Sequence, residues 1–358
     1  MVIVDANLTR YDNKCILVSR GEGCVIERKI HVITLGGGIL LAKRTTNPTI
    51  IDIDDMLRLL EGQLDHSKIQ VTTFHRTPSS ALLVDDVISL AVDIAKTIDR
   101  ENPQGFVVVQ GTDTIEETAF ALNTLIDCKA PIVVTGSVRT PDMPSSDGLA
   151  NLLAALRVAA SESCRGLGCV VVFNETIYPA DFVRNTHTHL TNTFSSECGP
   201  LGFIVEGTPS IRVKPIRRKV SNLMLKTTIV EPVPICSVPL GDDGRLLGAV
   251  REIGYRGLVI EAMGGGHVPE SLAHQLEGLA SDIPIVLASR VGAGDMLNST
   301  YYGYPGSETA LLNLGLISSG FLDARKARIL LILQLMSGFE RAQIMDGFRV
   351  FSRHHTND

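Results

Sequence analysis

The feature that most constrains the fold is a repeated alternation of short apolar segments with longer amphipathic ones. The short segments are rich in valine and isoleucine and fall at residues 32–35, 70–74, 105–110, 132–136, 168–173 and 202–205. Between them, apolar residues recur at helical spacing over residues 53–61, 83–99, 114–126 and 147–160. Apolar, β-branched strands that alternate with helices are typical of a parallel sheet covered on both faces. The sequence therefore predicts an α/β fold with a parallel-type sheet flanked by helices.

A change in this pattern divides the chain into two α/β domains. The turn signal Glu206-Gly-Thr-Pro209 precedes a polar, basic stretch, so we interpret residues 207–227 as a linker. The larger domain then covers residues 31–206 and a smaller one covers residues 228–358. The smaller domain has predicted strands at 257–262 and 284–289 and predicted helices at 270–280, 307–314 and 324–337. Residues 1–30 form an N-terminal extension in which two short apolar runs fit a hairpin.

Composition argues against several classes of function. The 358 residues carry a net charge of −6, whereas a nucleic-acid-binding surface needs an excess of basic residues. No apolar run approaches the roughly 20 residues of a membrane span, and no signal-peptide pattern is visible. The seven cysteines are scattered and lack the spacing of a zinc site or a disulfide framework. We therefore expect a cytoplasmic protein without a metal, a cofactor, or a nucleic-acid or membrane partner.

The strongest chemical motif follows the apolar segment at residues 105–110. It reads Gln110-Gly-Thr-Asp-Thr-Ile-Glu-Glu-Thr118 and places Thr112 and Asp113 at a strand-to-helix turn. Ligands of open α/β sheets bind beyond the carboxyl ends of the strands, where a hydroxyl and a carboxylate can activate water or a nucleophile. A purely structural interpretation is also open, because Thr114 and Glu117 have the spacing of a capping box.

Three consecutive glycines, in Leu35-Gly-Gly-Gly-Ile39, end the first apolar segment. Glycines at the end of a strand allow the backbone to turn tightly or to approach a ligand closely. Their spacing differs from the G-x-G-x-x-G of a dinucleotide-binding turn. The segment therefore predicts a close backbone approach at a turn that supplies no side chain.

These motifs together resemble the bacterial-type L-asparaginases and their amidohydrolase relatives. Further segments resemble the same family in the same order, over about residues 30 to 340. They are Pro131-Ile-Val-Val-Thr-Gly-Ser-Val-Arg-Thr-Pro141, Ser145-Ser-Asp-Gly-Leu-Ala-Asn-Leu152, Cys198-Gly-Pro-Leu-Gly-Phe203, Gly257-Leu-Val-Ile-Glu-Ala-Met-Gly-Gly-Gly-His-Val-Pro269, Ser289-Arg-Val-Gly-Ala-Gly294 and Gly320-Phe-Leu-Asp-Ala-Arg-Lys-Ala-Arg-Ile-Leu-Leu331. The resemblance implies an asparaginase-like fold of two α/β domains.

The resemblance also implies roles for individual residues. Thr112 and Asp113 match the second threonine and the aspartate of the family's catalytic site, and Gly111 before them is assigned to substrate binding. The serine that holds the substrate's α-carboxylate corresponds to Ser79, with Ser80 as the alternative register. Glu308 matches the acidic residue that a neighbouring subunit contributes to bind the substrate's amino group.

Two departures from the family pattern are serious, because they fall on catalytic residues. The family reads T-G-G-T-I in its first motif, with the last threonine as the usual nucleophile, and this chain has Gly38 there. Counting back from Phe194, the catalytic lysine of the family's K-T-N-T or K-T-H-T segment corresponds to Asn185. The family's flexible-loop tyrosine also has no counterpart in residues 40–48. Losses of this kind remove orders of magnitude of rate from the family's usual route.

Other side chains near Asn185 offer alternatives. Arg184 keeps its charge, so it suits an anion or a developing negative charge but cannot replace a lysine that must lose a proton. His187 and His189 are suited to proton transfer near neutral pH, although loop histidines without such a role are common. These two histidines could also hold a metal, but no third ligand is evident and we assign none.

The expected function is therefore that of a divergent amidohydrolase. Its substrate would be an amide, or a related derivative, of aspartate or a similar small amino acid, in specialised metabolism. Two alternatives stay open: an amino-acid-binding pseudoenzyme without turnover, and an enzyme that performs an elimination on the same scaffold. The family also implies a homodimer or homotetramer with active sites shared between subunits.

Overall fold

The computed structural model describes residues 28–42 and 49–352. The hairpin predicted for the N-terminal extension lies outside the described residues. Within them the strands are, in chain order, β1 (Ile30–Thr34), β2 (Leu41–Ala42), β3 (Thr49–Ile50), β4 (Ile69–Thr73), β5 (Gly105–Val109), β6 (Ile132–Thr135), β7 (Cys169–Phe173), β8 (Thr176–Pro179), β9 (Val183–Asn185), β10 (Phe194–Ser196), β11 (Gly202–Val205), β12 (Thr208–Ile211), β13 (Ile235–Ser237), β14 (Leu258–Ala262), β15 (Ile285–Ser289) and β16 (Ile317–Ser318).

The α-helices of the same residues follow the predicted alternation. They are α1 (Ile53–Arg58), α2 (Val84–Glu101), α3 (Ile115–Leu125), α4 (Gly148–Ala160), α5 (Arg245–Ile253), α6 (Glu270–Ala280), α7 (Glu308–Asn313), α8 (Ala324–Met336) and α9 (Arg341–Arg349). No helix among the described residues is both long and apolar enough to cross a bilayer.

The large sheet has eight strands in the order β12-β11-β8-β7-β6-β5-β1-β4. The five strands from β4 to β7 are parallel. The four strands β1, β5, β6 and β7 are buried on both faces, whereas the edge strand β4 is partly exposed. Along β5, Val107 and Val109 belong to one hydrophobic cluster, whereas Phe106 and Val108 belong to the cluster on the opposite face. Because neither face of the four buried strands meets water, they read as continuous apolar runs, and the predicted α/β class is confirmed.

The three remaining strands of the large sheet are antiparallel, which the alternation did not predict. Asn174 and Glu175 both have positive φ, 49° and 58°, and form the two-residue turn between β7 and β8. Glu206 and Gly207, at 49° and 79°, connect β11 to β12 in the same way. Turns of this kind match the twist of a hairpin. The first residues of the predicted linker thus form an edge strand of the sheet, where Pro209 is tolerated.

The C-terminal domain is built on a smaller parallel sheet in the order β13-β14-β15-β16. Helix α8 packs against this sheet and also against α3 of the N-terminal domain. Phe120 of α3 and Leu331 of α8 belong to the same buried cluster. The two domains therefore share a hydrophobic contact, and α8 lies at its centre.

Candidate functional site

Three loops meet at the carboxyl edge of the large sheet. Strand β1 lies between β4 and β5, with Thr34 opposite Thr73 on one side and Val109 on the other. Each of the three strands is followed by a glycine- or serine-containing segment that ends in a single 3₁₀ turn, at Gly38–Leu40, Ser79–Ala81 and Thr112–Thr114 respectively. The parallel register therefore brings together residues that are up to about 75 positions apart in the chain.

A serine–aspartate pair forms the centre of this edge. The hydroxyl of Ser79 donates to Oδ2 of Asp113 at 2.7 Å, and the backbone N–H of Asp113 donates back to the Ser79 hydroxyl at 3.3 Å. Ser79 is 2% exposed, whereas Ser80 and Asp113 are exposed. Of the two registers considered for the substrate serine, Ser79 is therefore the one whose side chain faces the aspartate.

Close backbone packing holds these loops together. A Cβ atom on Gly37 would overlap the backbone nitrogen of Gly111, and a Cβ on Gly111 would overlap the hydroxyl of Ser79. Gly36 and Gly37 also have φ values of 103° and 95°, which side-chain-bearing residues rarely adopt. Both of these glycines are therefore required by the geometry of the loop itself.

Gly38 is different from its two neighbours. Its backbone conformation is an ordinary one, and a Cβ built on it would meet only the carbonyl oxygen of Ser137, at 3.9 Å. That distance is a normal van der Waals contact. The position where the resemblance places a nucleophilic threonine thus has room for a Cβ, and packing among the described residues does not require glycine there.

The hydroxyl groups of the β5–α3 turn have different surroundings. Thr112 is half-buried, and no hydrogen-bond partner of its hydroxyl is found among the described residues. Thr114 accepts from Nε2 of Gln110 at 3.1 Å and donates to the carbonyl of Ser79 at 3.4 Å. Thr114 precedes α3 but makes no side-chain cap, so the capping box predicted with Glu117 is wrong. Its hydroxyl is used instead to join the loops after β4 and β5.

One residue near Gly38 was missed by the sequence reasoning. Ser137 follows β6, is buried, and has a hydroxyl with no partner among the described residues. The loop that carries it is held by Asp147, whose carboxylate accepts from the backbone N–H groups of Val138 and Arg139 at 3.1 and 2.9 Å. Its place in the motif Thr-Gly-Ser, directly after a predicted strand, was the signal that could have identified it.

The residues around the missing lysine lie on the short ribbon of β9 and β10. Asn185 pairs with Phe194, and its side-chain oxygen accepts from the hydroxyl of Thr193 at 2.5 Å. Arg184 faces the C-terminal domain, where its Nε lies 3.7 Å from Oδ2 of Asp323. His187 is exposed, and its Nδ1 accepts from the backbone N–H groups of the two residues His189 and Leu190.

Glu308 lies apart from these residues, in the C-terminal domain. Its buried carboxylate accepts from the backbone N–H groups of Thr300 and Tyr301 at 2.8 and 2.6 Å and lies 3.2 Å from Nε2 of His267. Burial by itself raises the pKa of this carboxyl, but the amide hydrogen bonds and His267 outweigh it, so the pKa of Glu308 is lowered. Within one chain the structure gives Glu308 no contact with Ser79 or Asp113.

The assembled edge can bind a polar ligand and act on it. The Ser79–Asp113 pair offers a hydroxyl and an exposed carboxylate, and the helix that follows presents its positive end to the same loops. Thr112 offers a half-buried hydroxyl for which no hydrogen bond is found among the described residues. Among the described residues no group of three or more histidines, cysteines or acids is placed to hold a metal ion.

Comparisons with known proteins show that this chain is similar to asparaginases along most of its length. Residues 29–217 match the family model described as asparaginase, N-terminal, and residues 232–348 match the glutaminase/asparaginase C-terminal domain. An L-asparaginase of Bacillus licheniformis is 30% identical over 316 residues, which cover 87% of this chain and 97% of that protein. A probable L-asparaginase of Deinococcus radiodurans is 37% identical over 249 residues, covering 69% of this chain and 74% of the relative.

A solved structure has the same fold. The probable cytoplasmic L-asparaginase from Campylobacter jejuni superimposes with a TM-score of 0.81 at 29% sequence identity, covering 90% of this chain and 99% of that one. The two family models together span both α/β domains described above. The chain therefore belongs to the asparaginase family of amidohydrolases.

Proposed function

We propose that this protein hydrolyses the side-chain amide of a small acidic amino acid, or an N-substituted derivative of that amide, by an altered form of the family's reaction. The observation that carries the proposal is the Ser79–Asp113 hydrogen bond, with the unpartnered hydroxyl of Thr112 beside it. Open space above Gly38 gives room for a substituent on the amide nitrogen. The relatives named as L-asparaginases support the general class of substrate.

Each site residue has a role in this proposal. The Ser79 hydroxyl, which donates to Asp113 here, rotates to donate to the substrate's α-carboxylate, and Asp113 accepts from the α-ammonium group. Glu308 of a second copy completes the pocket, and Gly111 lets the substrate backbone approach. Thr112 acts on the amide carbonyl, either directly or through a water molecule. One water is consumed, the carbonyl carbon gains its oxygen, and the nitrogen leaves as ammonia or an amine.

The two departures from the family pattern define how the reaction is altered. Gly38 removes the usual nucleophile, so the hydroxyl of Thr112 or a water molecule must attack the carbonyl. Asn185 removes the usual lysine, and Arg184 or His187 on the same ribbon are the proposed substitutes for charge stabilisation and proton transfer. We propose a cytoplasmic location and a homodimer or homotetramer, in line with the name of the Campylobacter jejuni protein for the location.

The test is an assay of the purified protein with L-asparagine, L-glutamine and N-substituted asparagines, following ammonia, amine and aspartate. We expect the substituted amides to be cleaved faster than asparagine, and Asp113→Asn to abolish turnover. Asp99→Asn, which alters an exposed carboxylate on α2, is the matched control and should leave the rate unchanged. Gly38→Thr should raise the asparagine rate about tenfold or more relative to the bulkier amides, and Gly38→Ala should not.

The alternatives predict different products. An elimination would release an unsaturated acid in place of aspartate. A pseudoenzyme would bind these amino acids without forming any product, whether or not residue 38 carries a hydroxyl. Either result would refute the proposed hydrolysis.

A further inference from the structure

Strand β9 contains Asn185, the position of the family's lysine. It belongs neither to the eight-stranded sheet nor to the four-stranded sheet. Among the described strands it pairs only with β10, through three residue pairs from Val183–Ser196 to Asn185–Phe194. An isolated two-stranded ribbon is marginally stable in water. The position of β9 must therefore be set by contacts with other parts of the protein.

A buried lysine contacts the first residue of β9. Lys326 lies on α8 of the C-terminal domain and is 1% exposed. Its Nζ donates to the backbone carbonyl of Val183 at 2.8 Å and to Oδ2 of Asp323 at 2.7 Å. A buried ammonium group is costly unless it is paired and hydrogen-bonded, and both acceptors here meet that need.

A buried glutamate contacts the last residue of the same strand. Glu116 lies in the first turn of α3, three residues after Asp113, and is 2% exposed. Its Oε2 accepts from the backbone N–H of Asn185 at 2.7 Å, and its Oε1 lies 2.9 Å from Nε of Arg325. Both oxygens of this carboxylate are therefore engaged, one by the strand and the other by α8.

The two contacts converge on one helix start. Asp323 is the N-cap residue of α8, and its carboxylate accepts from the backbone N–H groups of Arg325 and Lys326 in the first turn. Each end of β9 thus depends on a buried charge whose counter-charge is on α8. Removing Glu116 or Lys326 would take away the hydrogen-bond partner of one strand end, and removing Asp323 would leave the buried Lys326 ammonium without its nearest counter-charge, which is strongly unfavourable.

We infer that Glu116 and Lys326 are positioning residues, which fix the backbone of β9 and so the place of Asn185 relative to the Thr112–Asp113 turn. Glu116 links β9 directly to the Thr112–Asp113 turn, because it and Asp113 belong to the same strand-to-helix segment. Lys326 makes the position depend on the docking of the C-terminal domain. Any catalytic consequence rests on the proposed function, whereas the structural consequence does not.

The test measures backbone amide hydrogen exchange in residues 183–196 of the full chain, together with kcat and KM. We expect Lys326→Met and Glu116→Gln to speed exchange in this ribbon about tenfold or more, while residues 258–289 keep their wild-type rates. With an amide substrate, kcat should fall more than KM rises, and Lys326→Arg should restore part of the protection. Lys219→Met removes a surface lysine that pairs with Asp127 and is the matched control, with no expected effect.

Wild-type exchange rates in the ribbon of both folded variants would overturn the inference. If Lys326→Met fails to fold, exchange in the Arg325→Gln variant tests the inference instead. The Arg325 side chain is 42% exposed and pairs with Glu116 from the solvent side, so this variant should fold. Unchanged exchange in that variant would also overturn the inference. If the wild-type protein cleaves no amide, the proposed function fails, but the exchange measurement still decides whether these residues position β9.

Discussion

The loop after β1 and the strand β9 each carry one departure from the family pattern, and the structure treats the two differently. In the loop, Gly36 and Gly37 are fixed by backbone contacts, but Gly38 faces open space and has an ordinary conformation. In β9, both the backbone and the side chain of Asn185 are hydrogen-bonded, and the strand ends are held by buried charges. One departure is therefore free of packing constraints, whereas the other is embedded in a network.

This difference shows where the family's ordinary chemistry is easiest to restore. A Cβ at position 38 fits without overlapping any described atom, so we expect a hydroxyl-bearing side chain to be tolerated there. A lysine at position 185 would lose the contact with the Thr193 hydroxyl, although the backbone bond to Glu116 would remain. We therefore expect substitutions at residue 38 to change activity with little change in stability.

The largest expected effect comes from the glycine next to Gly38. Gly37→Ala combines a positive φ of 95° with a Cβ that overlaps the backbone of Gly111. Strain and overpacking together should lower the free energy of unfolding by about 4 kcal/mol or more. Urea unfolding of the purified variant measures the loss. A variant as stable as the wild type would show that the close approach of these two loops is not rigid.

A smaller effect is expected at the helix start that supports β9. Burial by itself raises the pKa of Asp323, but the ammonium of Lys326 and the amide hydrogen bonds outweigh it, so the pKa is lowered. A lowered pKa stabilises the fold above the unfolded value, and this contribution is lost as the pH falls through the folded pKa. Asp323→Asn should therefore cost about 3 kcal/mol at pH 7, where it leaves Lys326 unpaired.

Unfolding measured at a series of pH values separates this electrostatic contribution from a packing defect. The difference between wild type and Asp323→Asn should begin to shrink below about pH 4, where the carboxylate of the unfolded chain takes up its proton, and should disappear once the pH has fallen through the lowered pKa of the folded carboxylate. A difference that stays constant from pH 7 to the acid range would contradict the electrostatic account. Arg349→Gln, which removes a surface pair with Asp346, is the control and should show little change at any pH.

The smallest effect is expected at Gly38 itself, with the opposite sign. Because the backbone at this position suits any residue and the space above it is open, Gly38→Ala should raise the free energy of unfolding by about 0.4–1 kcal/mol. The gain arises from the smaller conformational freedom of alanine in the unfolded chain. The same urea titration that is used for Gly37→Ala measures it. A loss of more than about 1 kcal/mol would mean that packing requires glycine here after all.

The sequence predicted the elements that depend on local pattern. Helix α6 has the bounds that were predicted, and the core strands and helices α1 to α4, α7 and α8 lie within a few residues of the predicted ranges. The antiparallel strands β8 and β12 were missed, because their turns rely on residues such as Glu175 and Glu206 in a left-handed conformation that their identity does not favour. The short strand β16 and the helices α5 and α9 were also missed.

In the candidate site, too, some residues were predicted from local motifs and others were found only in the structure. Motif spacing placed Thr112 and Asp113 at a strand-to-helix turn and located the departures at Gly38 and Asn185. The hydroxyl of Ser137 was overlooked, although its place directly after a predicted strand was a usable signal. The network that joins Glu116 and Lys326 to β9 had no local signal at all, because its members are as far as 143 positions apart.

What the sequence by itself determined is the alternation of core strands and helices, the two α/β domains and the family to which the chain belongs. Periodicity and motif spacing are local properties of the sequence, so they can be recognised without any knowledge of how the chain packs. Only the tertiary structure decided that Ser79 rather than Ser80 faces Asp113, and that Gly38 is unconstrained while Gly37 is not. These distinctions depend on which atoms are in contact between loops that are far apart in the sequence. Only the close packing of the folded chain sets the distances between those atoms.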